Sequence, residues 1–169
     1  MKKLLTILVF ASFSLLNMAA GCGGSNNDSP QPETILGIIG KWKLTKTGYY
    51  FTKSDGTKVN DTYDTEPRGI NIVFEFFDDG RLVTKDLVKN TTEEIRWKVN
   101  IRKGDDKGIL DGELIQIGKE QKELAQIIGQ TGDLTMQMIT TPTQIFLVVD
   151  VTKISVYKEM TLIQEFKKL

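Results

Sequence analysis

The feature that most constrains this chain is a strict alternation of apolar and polar residues between positions 95 and 102. Four apolar residues alternate with four polar ones, in the order Ile95, Arg96, Trp97, Lys98, Val99, Asn100, Ile101 and Arg102. Because successive side chains of a β-strand point to opposite faces, this pattern predicts a strand with one buried and one solvated face. A chain built from such strands has to bury one side of its sheet, which favours an all-β domain.

The same period of two recurs on both sides of this segment and predicts further strands. The predicted strands are 40–51, 70–77, 81–88, 95–102, 109–117, 134–140, 144–151 and 158–167. Turn signals such as Asp55-Gly56 and Asp79-Gly80 separate neighbouring strands, which is typical of hairpins. About eight strands joined by hairpins predict a single antiparallel up-and-down barrel, and a two-sheet β-sandwich is the alternative that the pattern leaves open.

Two stretches depart from the strand pattern. In 119–128, Leu124, Ile127 and Ile128 lie at helical spacing among charged and amide residues, which predicts one short helix. Residues 60–69 are polar and contain Pro67, so we expect them to form a long loop at one end of the barrel.

The first predicted strand, 40–51, has large apolar or aromatic side chains on both of its faces. Trp42, Leu44 and Tyr50 share one parity, so we expect these three side chains to be buried. Tyr49 and Phe51 have the opposite parity and are expected on the outer surface. A large and rigid Trp near the start of a strand is well suited to closing the end of a barrel.

Gly40-Lys41-Trp42 resembles the Gly-x-Trp signature of the first lipocalin strand. From about residue 35 to residue 169, the chain is similar to the lipocalin-like domains of lipoproteins from the Bacteroidota. Those domains share a Phe-x-x-x-Gly-x-Leu hairpin, which is 76–82 here, and a final strand that ends as Phe166-Lys167-Lys168 does. The resemblance implies a lipocalin-like barrel that binds a small apolar or amphipathic molecule.

Lipocalins also stack a late Arg on the Trp of this signature. No Arg follows Arg102 in this chain, which departs from the lipocalin pattern, and Lys167 or Lys168 could substitute for it over Trp42. A Lys ammonium can lie over an aromatic face, although it lacks the planar guanidinium of Arg.

Residues 1–21 have the composition of a bacterial lipoprotein signal peptide, with two lysines, an apolar run and then small residues. Cys22 is the only cysteine, and Met18-Ala19-Ala20-Gly21-Cys22 resembles a lipobox. The resemblance implies diacylglycerol on the Cys22 sulfur, cleavage before Cys22, and acylation of the new amine by a fatty acid such as palmitate.

Residues 22–34 are predicted to be a lipidated flexible tether, because they are polar and rich in Gly, Ser, Asn and Pro, and residues 35–169 to be the barrel domain. Several acyl chains on one residue anchor a protein stably, so we expect a partner membrane through the lipid on Cys22. The expected location is the outer membrane of a bacterial cell envelope. The periplasmic and the cell-surface face are both left open.

The composition excludes several classes of function. There is no His, which removes Ser-His-Asp triads, Cys-His pairs and His-ligated zinc. Two of the 22 basic residues lie in the predicted signal peptide, so 20 basic residues remain against 22 acidic ones. The rest of the chain therefore has no excess positive charge with which to bind nucleic acid. No glycine-rich phosphate-binding motif follows a strand. We therefore expect no enzyme activity, no cofactor and no nucleic-acid partner.

Three adjacent carboxylate pairs are the remaining candidates for chemistry: Asp78-Asp79, Glu93-Glu94 and Asp105-Asp106. All three are predicted to lie in turns, where neighbouring side chains point apart, whereas a glycosidase needs two carboxylates facing each other. The acidic residues from Asp105 to Glu113 do not have the spacing of a calcium loop, so we expect no metal site.

Two hypotheses about function follow from these patterns. In the first, the barrel binds a small apolar or amphipathic ligand, and Gln164 offers it a polar partner because it shares the parity of inward-facing Leu162 and Phe166. The candidate lining residues are Trp42, Tyr50, Phe74, Trp97, Met136, Met138, Leu162, Gln164 and Phe166. In the alternative, the barrel is filled, and its outer surface, beginning with Tyr49 and Phe51, binds another envelope protein or a glycan.

Overall fold

The computed structural model describes residues 37–104 and 108–169. The predicted signal peptide 1–21, the predicted tether 22–34 with Cys22, and the Asp105-Asp106 pair lie outside the described residues.

Nine strands and one α-helix make up the described part of the chain. The strands are β1 Gly40–Thr52, β2 Lys58–Asp64, β3 Ile72–Phe76, β4 Arg81–Asp86, β5 Thr91–Gly104, β6 Leu110–Ile117, β7 Leu134–Thr140, β8 Gln144–Asp150 and β9 Glu159–Lys168. Helix α1 spans Lys119–Ile128, and single 3-10 turns lie at Glu66–Arg68 and Thr152–Ile154. Among the described residues, no helix has the length and apolar character needed to cross a bilayer.

Eight of the strands form one closed antiparallel barrel. β1 pairs with β3, each strand from β3 to β9 pairs with the next, and β9 returns to pair with β1. This closure confirms the predicted up-and-down barrel and excludes the sandwich alternative. All strand partners lie within 40–168, and Ile38 just before β1 belongs to the buried core, so residues 37–169 contain every strand and the whole described core of the barrel.

The prediction of a loop at 60–69 was wrong for its first half, because the strand outside the barrel, β2, lies there. Residues 58–64 are strand β2, which pairs with β1 from Thr52 back to Lys46, while β3 takes the same edge of β1 at Gly40 to Lys43. β2 can approach closely because β1 has a glycine at position 48, where a β-carbon would collide with the carbonyl oxygen of Asp61. Its polar composition reflects its mostly exposed position at the edge.

A β-bulge in β1 reverses which residues point into the barrel. Leu44 pairs with Phe166 and Lys46 with Glu165, so Thr45 is an extra residue between them. Before the bulge, the even-numbered residues Trp42 and Leu44 point into the barrel. After it, the odd-numbered Thr47 does, because one inserted residue exchanges the two faces of a strand.

The bulge corrects the predictions for Tyr49 and Tyr50. Tyr50 is 47% exposed, and its hydroxyl accepts a hydrogen bond of 2.9 Å from the side-chain amide of Asn60 on β2. Tyr49 packs against the core, where burial and the neighbouring Tyr63 raise the pKa of its phenol to about 12. Tyr50 is therefore not a lining residue of the barrel interior.

One end of the barrel, which we call the closed end, is filled with large side chains. It is the end at which the chain enters β1 and leaves β9. The indole of Trp42 is fully buried there, and its Nε1 donates a 2.7 Å hydrogen bond to the Ile38 carbonyl. Lys168, one of the two lysines that could substitute for the lipocalin Arg, has its Nζ 5.3 Å from the centre of the Trp42 ring. Phe76 and Trp97 pack edge to face, with ring centres 5.0 Å apart.

Trp42→Ala is expected to lower the free energy of unfolding by about 3–5 kcal/mol, because it leaves a cavity in a close-packed region and removes a buried hydrogen bond. Urea denaturation of residues 23–169 measures this change. Tyr50→Ala is the matched control, since Tyr50 is half exposed and its loss leaves no buried cavity. An equal cost for the two variants would contradict the packing described for the closed end.

Candidate functional site

The opposite end of the barrel, which we call the helix end, contains a cavity of about 80 Å³. The cavity lies between the strands and helix α1, which connects β6 to β7 and covers this end. Most of its wall is apolar. The polar side chains that line it are Thr84, Glu93, Gln116, Gln121 and Gln164.

Five of the nine predicted lining residues surround this cavity: Phe74, Met136, Leu162, Gln164 and Phe166. Trp42, Trp97 and Met138 are buried, as their parity predicted, but they fill the closed end and do not line the cavity. Tyr50 lies outside the barrel because of the bulge at Thr45. The role of the five lining residues in ligand binding stays a prediction.

The size of the cavity limits what it can hold. Pockets for drug-sized ligands occupy about 300–1,000 Å³, whereas this cavity of about 80 Å³ is several times smaller. It therefore suits a small solute, and a larger one requires α1 to move.

Helix α1 covers the cavity with one face. Gln121, Leu124 and Ile128 line the cavity at intervals of three and four residues, which places them on one side of the helix. Ile127 lies outside this face and is more than half exposed. The helix ends at Gly129, whose φ of 90° allows its N–H to bond to the carbonyls of Ala125 and Gln126. The predicted short helix is confirmed with the same bounds.

Glu93 is the charged residue of this site, and its position corrects the predicted turn at Glu93-Glu94. The turn ends earlier, because Asn90 adopts a positive φ of 55° and β5 already begins at Thr91. Asp86 stabilises this turn by accepting hydrogen bonds from the N–H groups of Val88 and Lys89. Glu93 therefore lies in β5 and points inward.

The burial of Glu93 raises the pKa of its carboxyl group above the ordinary value. A hydrogen bond of 3.0 Å from the Gln121 side-chain amide to Glu93 Oε1 opposes this shift, and the charge of Glu120 adds to it. Glu94 points to the opposite face and pairs with Arg81 at 3.5 Å. Within 37–104 and 108–169, no ion pair involves Glu93.

Sequence reasoning missed Glu93, although a signal for it was present. The alternation that makes Ile95 and Trp97 inward-facing gives Glu93 the same parity when it is continued backward by two residues. Gln116 and Gln121 were also missed. Gln116 is on the inner face of β6, and Gln121 belongs to the covering helix.

Thr47 is a further polar group on the inner side of β1. It is 1% exposed and pairs across the sheet with Gln164, and its hydroxyl has no hydrogen-bond partner among the described residues. The described part of the chain also contains no group of three or more acidic, His or Cys side chains that could hold a metal ion. The lining of the cavity, which does not include Thr47, provides three side-chain amides, the Thr84 hydroxyl and the Glu93 carboxylate beside an apolar wall.

No family model matches this chain, and no curated protein is significantly similar to it in sequence.

Glu93→Gln is expected to change how stability depends on pH. Because the folded state raises the pKa of Glu93, its favourable contribution is present below the ordinary pKa and is lost as the pH rises through the folded-state value. The free energy of unfolding of Glu93→Gln should therefore increase relative to that of the unmodified chain between pH 4 and pH 7. Urea denaturation across this range measures the difference.

Glu94→Gln is the control, since it removes the same charge one residue away on the exposed face. A pH-independent difference for Glu93→Gln, or an equal trend in both variants, would contradict the inward position of the Glu93 carboxyl.

Proposed function

We propose that this is a lipid-anchored, lipocalin-like protein of the bacterial cell envelope whose barrel binds a small amphipathic molecule beneath α1. The observation that carries the proposal is the two-sided cavity at the helix end, which joins an apolar wall to a cluster of amide and carboxylate groups. Binding sites for small molecules combine these two parts, because apolar burial supplies affinity and a few polar groups fix orientation.

The apolar part of the site comes from several strands of the barrel. Ile72 and Phe74 on β3 line the cavity together with Val149 on β8 and Leu162 on β9, and Phe74 packs on Phe166 with ring centres 4.6 Å apart. These side chains belong to the same core as the closed end, so the wall is held in place by the packing below it. A preformed wall of this kind reduces the entropy that is lost when a ligand binds.

The position of the cavity in the barrel supports binding of molecules dissolved in the surrounding solution. The described chain begins beside β1 at the closed end, and the antiparallel order places α1 and Glu93 at the opposite end. With a lipid on Cys22, the cavity would therefore open away from the anchored end and toward dissolved molecules.

Cys22→Ser is expected to abolish lipid attachment and to release the protein from the membrane, since the chain has no other cysteine. Metabolic labelling with an alkyne analogue of palmitate, followed by membrane fractionation, measures both effects. Ser25→Ala, in the same predicted tether, is the matched control and should keep label and membrane association. Continued labelling of Cys22→Ser would contradict the proposed anchor.

Met136→Trp is expected to abolish binding of a small neutral solute, because Met136 lines the cavity and an indole would fill it. Residues 23–169 are titrated with n-butanol, and amide chemical shifts of lining residues such as Leu124 and Val149 report saturation. Gln137→Trp is the control, since the neighbouring side chain on β7 points outward.

A titration without saturable shifts in the unmodified barrel would contradict the ligand-binding proposal and favour a second function. That function is an accessory role in which the outer surface binds an envelope protein or a glycan. An aromatic pair supports it: Phe51 stacks on Tyr157 with ring centres 4.1 Å apart, next to Val156, which is 92% exposed. The candidate contact surface for such a partner is therefore the Phe51–Tyr157 pair and no longer Tyr49 with Phe51, since Tyr49 packs against the core.

A further inference from the structure

We infer that the ligand of the helix-end cavity is a small alkylammonium ion, whose nitrogen binds the Glu93 carboxylate and whose carbon chain lies against the apolar wall. This inference rests on the proposed binding function and adds the chemical class of the ligand.

The charges around the cavity are the first reason. Glu93 is the one charged side chain in the lining, and no Lys or Arg contributes to it. The groups that act electrostatically on Glu93 are its donor Gln121 and the acidic Glu120, and neither is a cation. Lys122, on the covering helix, pairs with Asp133 at 3.8 Å. Within the described ranges, the protein thus supplies no paired cation to Glu93.

The second reason is the hydrogen bonding of the carboxylate. Gln121 donates to Oε1 of Glu93, and no described residue donates to Oε2. Glu93 is partly buried, and its Oε2 is not among the enclosed side-chain atoms that lack a hydrogen-bond partner, so this oxygen can be reached from the cavity. A carboxylate accepts several hydrogen bonds, and partial loss of water around it without a paired charge costs free energy. An ammonium group provides both the missing charge and the missing donor, so the geometry favours a cationic ligand.

The remaining lining groups suit the other N–H bonds of an ammonium. Such a group carries three donors and no acceptor, so after binding Glu93 it needs further acceptors nearby. Gln116 and Gln164 carry side-chain carbonyl oxygens and line the same cavity. A carboxylate ligand would instead place two negative groups together in a site of low polarity, so fatty acids should be excluded.

The volume of the cavity sets the length of the chain. A space of about 80 Å³ admits a short alkyl group beside the polar cluster but not a long acyl chain. We therefore choose n-butylammonium as the probe and compare it with n-butanol, which has the same carbon chain and no charge, and with butyrate, which has the opposite charge.

The experiment titrates residues 23–169 at pH 7 with each probe and follows the amide shifts of the lining residues. In the unmodified barrel, n-butylammonium should bind at least about tenfold more tightly than n-butanol, since charge-assisted hydrogen bonds are roughly twice as strong as neutral ones. Butyrate should bind more weakly than n-butanol. The preference for the ammonium should disappear in Glu93→Gln and persist in Glu94→Gln.

Glu93→Asp provides a second variant that keeps the charge, so it should keep a preference for n-butylammonium over n-butanol even if Glu93→Gln does not fold. Equal affinities of n-butanol and n-butylammonium in the unmodified barrel would overturn the inference and leave the proposed binding function standing. A preference that survives in Glu93→Gln would also overturn it. If none of the three probes binds, the inference and the proposed function both fail.

Discussion

The pairing of β1 with β9 is the interaction on which the rest of this structure depends, because it converts an open meander into a closed barrel. The paired segment runs from Trp42 opposite Lys168 to Thr52 opposite Glu159. Closure satisfies the backbone groups of both strands and gives every strand an inner and an outer face. The bulge at Thr45 lies in this same pairing, so it decides which residues of β1 the interior receives.

The barrel uses its two ends differently, and the difference follows from side-chain volume. At the closed end, two Trp residues, Phe76 and Met138 fill the interior. At the helix end, the corresponding inner positions hold smaller or polar side chains such as Thr84, Gln116 and Gln164, and α1 covers the space that they leave. Binding is therefore expected where packing is incomplete, and the filled half holds the surrounding strands in a fixed arrangement.

Much of the fold could be predicted from the sequence, because an inner and outer face impose a period of two on every barrel strand. The alternation at Ile95 to Arg102 and the glycine turns were sufficient to locate eight strands and the helix. The bulge at Thr45 could not be predicted, since an inserted strand residue has no distinctive composition, and Tyr50 was therefore placed on the wrong face. β2 was missed because an exposed strand needs few apolar residues. Glu93 was missed because acidic residues beside Asn90 favour a turn as strongly as a strand.

The termini of the barrel are held together at the closed end, where the Leu169 N–H donates to the Lys41 carbonyl at 3.0 Å and Lys168 lies over Trp42. If the proposed lipid on Cys22 attaches the protein to a membrane, a pulling force would reach the barrel along β1. The ladder bonds of antiparallel strands are perpendicular to the strands, so a force along β1 shears many of them simultaneously and does not open them in succession. Under that proposal, the strand pairing that closes the barrel would also resist a force that arrives through the tether.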